Sequence, residues 1–406
     1  MNNQGLLIRQ ALTLTKLIMQ QEILFKKKNN IFPDLDEEQL LEDLFKAYFD
    51  ARRNKRNTIN ALKFELNLEE NIFSLFEDII SGKYVLKPSI CFVVNKPVKR
   101  EIFAADFRDR VVHHLVYNYI SPIFERKMIN DTYSCRKGKG VHYGIKRAEH
   151  FIRSCSSNYH KNCYILKIDI KSYFMSMNKE LLFNLTIFEI EKERKKQGKN
   201  LNFSFLLIKE LLRIIIFADP TNRCIIKGKK NDWDDLPKGK SLFFSKKGYG
   251  LPIGNLTSQL FGNVYLNKLD HFIKNELRIK YYGRYVDDIL IVNENRDHLK
   301  KVIFKIKEYL FHQCFLILHP KKIYLQEFSK GMFYLGLIIK PYRKYLSKRV
   351  KNNFYSAVFD SKANEKIKET VNSYLGIMSH CNSYNLKERH SISFREAILK
   401  LHRCAL

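Results

Sequence analysis

The chain has 406 residues, 45% of them hydrophobic, and its 72 Lys and Arg outnumber its 42 Asp and Glu, giving a formal net charge of +30. A chain of this length can bury a sizeable core in two or three subdomains, and so large a positive excess opposes compaction unless an anion binds, so nucleic acid is the expected partner. The eight cysteines form no Cys-x-x-Cys pair and no apolar stretch reaches the roughly 18 residues of a membrane span, so we expect neither a zinc site nor a membrane protein.

Helical patterns dominate the first 80 residues. Apolar residues recur near helical spacing between positions 6 and 18. They do so again between positions 40 and 48, after the acidic, cap-like Asp36. We expect these helices to pack on the next region of the chain.

A strand-like pattern follows. We expect a hairpin of residues 90–94 and 98–103 around the turn-prone residues 95–97. A helix is then expected to begin at Phe107 and to end by Pro122, because the residue before a proline disfavours helical geometry.

The second half of the chain contains two charged segments, 191–200 and 227–240, which we interpret as exposed loops. The apolar segment 205–217 between them predicts a buried helix, and Trp233 has no assignable role. After Pro341 the pattern is helical and basic, as suits an element that grips a duplex backbone.

Three carboxylates carry the chemical signal. Asp287 and Asp288 stand between the apolar runs 281–285 and 289–292, which predicts a tight turn between strands, and Asp169 is embedded in another β-rich run. Adjacent like charges repel, and burying an unpaired carboxylate is costly, so a divalent cation is the natural compensation. A solvated Asp-Asp turn is the alternative for the pair alone. Together the three acids suit two Mg²⁺ ions and nucleotidyl transfer.

The carboxylate segments resemble motifs of the reverse transcriptases. The run containing Asp169 is similar to palm motif A, and Tyr-Val-Asp-Asp at 285–288 is similar to motif C. Between them, Gly-Leu-Pro-Ile-Gly-Asn-Leu-Thr-Ser-Gln-Leu at 250–260 resembles motif B. The resemblance runs in the family's order over roughly residues 84–340.

One departure in motif B points to a subfamily. Bacterial intron-type enzymes usually have Gln-Gly and Ser-Pro where this chain has Ile253-Gly254 and Ser258-Gln259. The Ile-Gly-x-x-x-Ser-Gln form is similar to the reverse transcriptases of diversity-generating retroelements, which copy an RNA template with errors at adenine.

The resemblance implies the catalytic roles. Asp169 and Asp287 are the expected ligands of two Mg²⁺ ions, Asp288 is an auxiliary ligand, and Ile170 is counted with the metal site. Lys322, in a segment similar to motif D, is expected to protonate the leaving pyrophosphate.

The resemblance also implies a substrate site. Phe174 is expected to stack under the deoxyribose and to exclude a 2′-hydroxyl, with ordinary core packing as the alternative. Ile253 stands where faithful relatives carry a Gln, and it too has a packing alternative. The predicted substrate-binding residues are Lys96, Arg100, Arg136, Phe174, Ile253, Gly254 and Gln259.

The resemblance implies an α+β, right-hand polymerase fold of fingers, palm and thumb, in which helices back an antiparallel palm sheet. The expected regions are N-terminal helices (1–82), fingers (83–160), palm (161–340) and a helical thumb (341–406).

The expected function is RNA-directed DNA synthesis of error-prone, adenine-mutagenised cDNA. A retron-like or phage-defence reverse transcriptase and a catalytically silent RNA-binding scaffold are the alternatives. The expected partners are template RNA, the RNA/DNA duplex, dNTPs and a small accessory protein. The expected location is the cytoplasm of a bacterial host, with a phage-encoded origin also compatible.

Overall fold

The structure, a computed structural model, describes residues 30–53, 55, 58–95, 98–196, 201–359 and 367–384. The helical pattern at positions 6–18 and the predicted site residue Lys96 lie outside the described residues. The chain divides into two compact units. The first comprises residues 1–127 and 174–265, and the second comprises residues 128–173 and 266–406.

The helices are α1 (Glu37–Arg52), α2 (Ile59–Leu66), α3 (Leu68–Ile80), α4 (Phe107–Lys127), α5 (Val141–Cys155), α6 (Lys179–Lys196), α7 (Phe205–Phe217), α8 (Leu256–His271), α9 (Arg296–Cys314), α10 (Lys348–Phe359) and α11 (Ile367–Met378). The strands are β1 (Ile90–Val94), β2 (Arg100–Ala104), β3 (Tyr164–Ile170), β4 (Ile225–Ile226), β5 (Tyr281–Tyr285), β6 (Asp288–Asn293), β7 (Leu318–Glu327), β8 (Met332–Tyr334), β9 (Leu337–Lys340) and β10 (Arg343–Leu346). Of these described helices, none is both long enough and apolar enough to cross a membrane.

The N-terminal helices of the first unit follow the predicted pattern. Asp36 caps α1 by accepting a hydrogen bond from the backbone N of Gln39 at 3.1 Å. The residues predicted from helical spacing, such as Leu40 and Leu44, are buried where α1 packs on α3 and α4. The prediction of this helix is confirmed.

The prediction that α4 ends by Pro122 is wrong, because the helix continues through this proline to Lys127. A proline inside a helix removes one backbone hydrogen bond and costs about 3 kcal/mol. Ile123 and Phe124, in the turn after it, are buried in the core. Lys127 binds the Glu189 carboxylate on α6. These contacts offset the cost, so tertiary packing overrides the local signal.

The prediction of a loop at 191–200 is wrong for its first part, since α6 extends to Lys196. Glu, Lys and Arg are strong helix formers, so charge alone does not end a helix. Glu193 faces inward and accepts a hydrogen bond from Arg126 at 2.7 Å. The predicted helix at 205–217 is confirmed by α7.

The predicted hairpin of the first unit is confirmed by β1 and β2, which pair antiparallel. On β2, the buried carboxylate of Glu101 accepts hydrogen bonds from Trp233 Nε1 at 2.7 Å, Ser241 Oγ at 2.8 Å and the backbone N of Leu242 at 2.6 Å. A buried carboxylate needs such donors. Trp233 therefore has a structural role: it anchors the irregular segment 227–240 to the hairpin.

The main sheet of the second unit has the strand order β5-β6-β3-β7, and each neighbouring pair is antiparallel. β3 is interior and largely apolar, with Ile165 and Leu166 fully buried. α5 packs on β5 and β6, and α9 packs on β6. This arrangement confirms the prediction of an α+β fold with an antiparallel sheet backed by helices.

A smaller sheet of the second unit, in the order β10-β9-β8, precedes α10. The prediction that the chain becomes helical directly after Pro341 is wrong, because residues 343–346 form β10. All four residues of β10 pair antiparallel with β9, and Leu346 at its end is buried in the core of this unit. The predicted division at residues 82, 160 and 340 stays a prediction.

Candidate active site

The candidate site is built on the hairpin of β5 and β6, in the second unit. Tyr285 and Asp288 are the last pair of this ladder, so Val286 and Asp287 make the turn. Val286 has a φ of +57°, a left-handed conformation that is unfavourable for a β-branched residue. The sequence thus places Asp287 in a strained two-residue turn and Asp288 at the first position of β6.

The buried guanidinium of an arginine side chain supports this turn. Arg284, on β5, is fully buried and donates from Nε and one terminal nitrogen to the carboxylate of Asp270, at 2.7 and 2.6 Å. Its other terminal nitrogen donates to the carbonyl oxygen of Val286 at 2.8 Å. Sequence reasoning missed both charged residues, because Arg284 and Asp270 come from different elements and have no shared motif.

Asp169 lies on β3, the strand beside β6. Ile168 pairs with Ile289 across these strands, so the next position of the antiparallel register sets Asp169 opposite Asp288. On the other side of β3, the register with β7 shifts just after Ile168. Asp169 therefore lies at a bulge, a feature that re-aims side chains beside functional sites.

The three carboxylates share one electrostatic environment. Burial, and next the charge of Asp169, raise the pKa of Asp287 from its ordinary 3.8 to about 6. Burial also raises the pKa of Asp288, where the Lys167 ammonium opposes the shift and the charge of Asp169 adds to it. A cation bound nearby would favour the charged forms of Asp287 and Asp288.

Two lysines contact the acids. Lys322 Nζ lies 2.9 Å from Oδ2 of Asp169. Lys167 Nζ lies 3.5 Å from Oδ1 of Asp288 and donates to the carbonyl oxygen of Phe333 at 2.9 Å. Sequence reasoning singled out Lys322 but missed Lys167, although Lys167 stands two residues before Asp169 and therefore on the same face of the strand.

The donor chemistry fits a hard divalent cation, since Asp169, Asp287 and Asp288 offer carboxylate oxygens, the ligands that Mg²⁺ prefers. Over the described ranges, no group of three or more His, Cys, Asp or Glu side chains is arranged to hold a metal ion by itself. Mg²⁺ commonly takes one or two carboxylates and completes its shell with water and substrate phosphates. Ile170 has a buried apolar side chain, so only its backbone carbonyl is a candidate ligand.

Two predicted substrate residues of the first unit share an apolar cluster. Phe174 and Ile253 are partly buried and pack against the cluster of Cys91, Phe103, Met175 and Leu242. The backbone of Ile253 is fixed because its carbonyl oxygen accepts from Phe103 N at 2.8 Å. Both side chains therefore combine a packing contact with a partly exposed surface.

Gly254 is required by its backbone geometry. Its φ is +133°, and an added Cβ would lie 2.7 Å from the carbonyl oxygen of Phe103 and 2.9 Å from Ile102 Cγ2. The glycine thus lets the motif B loop approach β2 closely. Gln259 is an exposed residue of α8.

The predicted basic residues have different surroundings. Arg100 is exposed at the start of β2, in the first unit. Arg136, in the second unit, is half-buried and donates to the carbonyl oxygens of Ile129 at 2.6 Å and Thr132 at 3.0 Å. Arg136 therefore already stabilises its own loop, which weakens its candidacy as a phosphate ligand.

Comparison with known families identifies the chain. The family model described as reverse transcriptase (RNA-dependent DNA polymerase) matches residues 94–339, more than half of the sequence. The chain belongs to the reverse transcriptase family. The antiparallel sheet that carries Asp169 and Asp288, and the turn that carries Asp287, lie entirely inside the matched region. The predicted right-hand polymerase fold class is therefore confirmed.

This reverse transcriptase is also similar to individual proteins. It is 25% identical over 207 residues to nuclear intron maturase 1, mitochondrial, of Arabidopsis thaliana, a match that covers 45% of this chain and 27% of the maturase. Among solved structures, apo telomerase of Candida tropicalis gives a TM-score of 0.45 at 16% identity, covering 65% of this chain and 56% of that one.

Telomerase of Candida albicans, in complex with a TWJ fragment of telomeric RNA, gives a TM-score of 0.46 at 12% identity, covering 77% of this chain and 55% of that one. The reverse transcriptase described here thus matches about a quarter of the maturase and a little over half of each telomerase chain.

Proposed function

We propose that this protein is an RNA-directed DNA polymerase that copies a retroelement RNA into cDNA. One observation carries the proposal: the register of β3 with β6 sets Asp169 opposite Asp288, and Asp287 occupies the turn before Asp288, with its pKa raised to about 6. Membership of the reverse transcriptase family supports the same reaction.

In the proposed reaction, Asp169 and Asp287 hold Mg²⁺, and Asp288 has an auxiliary role because Lys167 already compensates part of its charge. Bound Mg²⁺ would supply Lewis-acid chemistry, lowering the pKa of the primer 3′-hydroxyl and compensating negative charge on the phosphates. The protein positions these groups rather than forming a covalent intermediate. Lys322 lies beside Asp169 and is the candidate proton donor to pyrophosphate.

Substrate selection is assigned to the first unit. The ring of Phe174 is proposed to block a 2′-hydroxyl and so to favour dNTPs, which is compatible with its partial exposure at the apolar cluster. Arg100 is exposed at the start of β2, so its guanidinium is accessible to the triphosphate. Gly254 and Gln259 are proposed to flank the nascent base pair.

The template is proposed to be RNA. The net charge of +30 supports binding to a polyanion, and each phosphate neutralised should contribute about −0.7 to −0.9 to the slope of log K against log salt concentration. A slope shallower than about −2 would argue against an extended basic binding surface.

Within the family, we propose the diversity-generating retroelement type, with a small accessory protein as partner. The support is the Ile253-Gly254 and Ser258-Gln259 form of motif B. An apolar Ile253 offers shape without the directional hydrogen bonds of a Gln, so mispairs lose less relative to correct pairs. A retron-like or phage-defence enzyme is the rival within the family, and this form of motif B argues against it.

A second candidate is a role in intron RNA maturation, favoured by the match to the Arabidopsis maturase. Such a role needs RNA binding but not the aspartates. The two candidates therefore differ in how they respond to loss of the carboxylates.

The test is primer extension on an RNA template with Mg²⁺ and dNTPs, using the wild type and the double variant Asp287→Asn, Asp288→Asn. We expect extension by the wild type and less than a few per cent of it by the variant, while RNA affinity stays within about twofold, because backbone contacts do not need the carboxylates. Substantial extension by the variant would reject the assigned site. A wild type that binds RNA but never extends a primer would favour the scaffold or maturation role.

A further inference from the structure

We propose that Arg284 and Asp270 form a positioning pair that holds the Val286 peptide in its left-handed conformation and thereby fixes the Asp287 carboxylate for metal binding. The inference rests on the proposed function, because it assigns a task to the turn that carries Asp287. The pair itself, Arg284 and Asp270, belongs to the second unit and lies outside the motifs found in the sequence.

Asp270, on α8, is a rigid anchor. Besides the two bonds from Arg284, its carboxylate accepts hydrogen bonds from the hydroxyl of Tyr282 and from Thr132 Oγ1, the latter at 3.2 Å. Tyr282 and Arg284 are two residues apart on β5 and therefore project to the same face. Asp270 and Arg284 are fully buried, so no water competes for these bonds.

The backbone of Arg284 is held as firmly as its side chain. Its N–H donates to the carbonyl oxygen of Asp131 at 2.8 Å, and its carbonyl oxygen accepts from Tyr133 N at 3.0 Å. Both ends of the residue are thus fixed. The guanidinium therefore presents its remaining nitrogen to Val286 from a defined position.

The bond to Val286 distinguishes this pair from an ordinary buried ion pair. Replacing a buried pair with apolar residues is often neutral for stability, so stability alone does not explain its presence. Val286 occupies a conformation in which glycine is favoured, and its carbonyl oxygen receives the third bond of Arg284. A planar guanidinium can bind both carboxylate oxygens and a carbonyl, whereas a lysine ammonium cannot reproduce that fork.

The test combines a conservative substitution with a compensating one. Arg284→Lys retains a positive charge opposite Asp270 but loses the planar guanidinium that bonds to both Asp270 and Val286. We expect kcat for primer extension to fall by about 100-fold, which is the effect of misplacing a reacting group by about 1 Å. The KM for dNTP should change by less than about twofold, because the substitution leaves the residues proposed to bind the nucleotide unchanged. Adding Val286→Gly should recover at least about tenfold in kcat, because glycine adopts the left-handed turn without a steric cost.

The matched control is Arg126→Lys, which changes the guanidinium that pairs with Glu193 at 2.7 Å in the first unit and should leave kcat unchanged. Wild-type kcat in a folded Arg284→Lys protein, or the absence of rescue by Val286→Gly, would overturn the proposal. If Arg284→Lys fails to fold, the double variant Arg284→Met, Asp270→Leu removes both charges of the pair. A lower kcat in this folded double variant would support the positioning role. A wild-type kcat would overturn the proposal.

Hydrogen exchange separates this proposal from the proposed function. If the wild type does not extend primers, the polymerase assignment fails, and exchange at the amides of Val286 and Asp287 tests the positioning directly. Faster exchange in Arg284→Lys than in Arg126→Lys would support the pair as the restraint on the turn. Equal exchange would overturn it.

Discussion

Replacing Asp287 with Asn should abolish catalysis and at the same time stabilise the fold. The pKa of Asp287 rises from 3.8 to about 6 through burial and repulsion by Asp169, so at neutral pH the folded chain holds an unfavourable charge. A difference of about two pH units corresponds to about 3 kcal/mol. Asp287 is only half-buried, and solvent screening reduces this to roughly 1–2 kcal/mol.

The sign of the pH dependence follows from the raised pKa. Between about pH 4 and pH 6 the folded state binds more protons at Asp287 than the unfolded state, so its contribution to stability falls as the pH rises. The advantage of Asp287→Asn should therefore be full above about pH 7 and absent below about pH 4. In thermal unfolding at pH 7.5 with EDTA, we expect a Tm increase of about 1–2 °C for a chain of this length.

The control for this experiment is Asp297→Asn. Asp297 is exposed, and its Lys300 neighbour lowers its pKa, so its loss should not stabilise the protein. Mg²⁺ should narrow the difference between the wild type and Asp287→Asn, because only the wild type retains the full carboxylate set that binds it. A variant less stable than the wild type at pH 7.5 in EDTA would refute the reasoning.

Three further substitutions have defined outcomes. Phe174→Ala should allow incorporation of ribonucleotides in a single-nucleotide assay; an unchanged preference for dNTPs would make Phe174 a core residue only. Ile253→Gln should lower misincorporation opposite template adenine by roughly two- to twelve-fold, the worth of one hydrogen bond, as counted by sequencing cDNA; an equal decrease at all four template bases would argue against a specific role at adenine. Gly254→Ala should lower the free energy of unfolding by about 2–4 kcal/mol, because of its left-handed φ and the contact with Phe103; denaturant unfolding that matches the wild type would contradict the close approach.

Local sequence signals predicted the elements that carry the chemistry. Short apolar and β-rich runs placed β3, β5 and β6 correctly, and the short Asp287 turn followed from the gap between two apolar runs. The same kind of signal failed at Pro122, where burial of Ile123 and Phe124 outweighs the loss of one backbone hydrogen bond. Local propensity therefore predicted the bounds of an element correctly only where tertiary packing favoured the same structure.

Buried polar partners, at the site and elsewhere in the chain, were beyond sequence reasoning. Arg284 and Asp270 are 14 residues apart on a strand and a helix, and Trp233 and Glu101 are 132 residues apart, so no spacing rule connects either pair. Their partners are set by how the elements pack. Lys167 is different, because the two-residue period of β3 would have placed it beside Asp169.

The most direct measurement is the single-turnover rate at which the protein adds one dNTP to a DNA primer annealed to an RNA template. With Mg²⁺, the wild type and Asp297→Asn should react at the same rate, and Asp169→Asn should be slower by at least about 1,000-fold, because a metal ligand of the transition state is lost. Equal rates for the wild type and Asp169→Asn would contradict the assignment of the three aspartates as the polymerase centre.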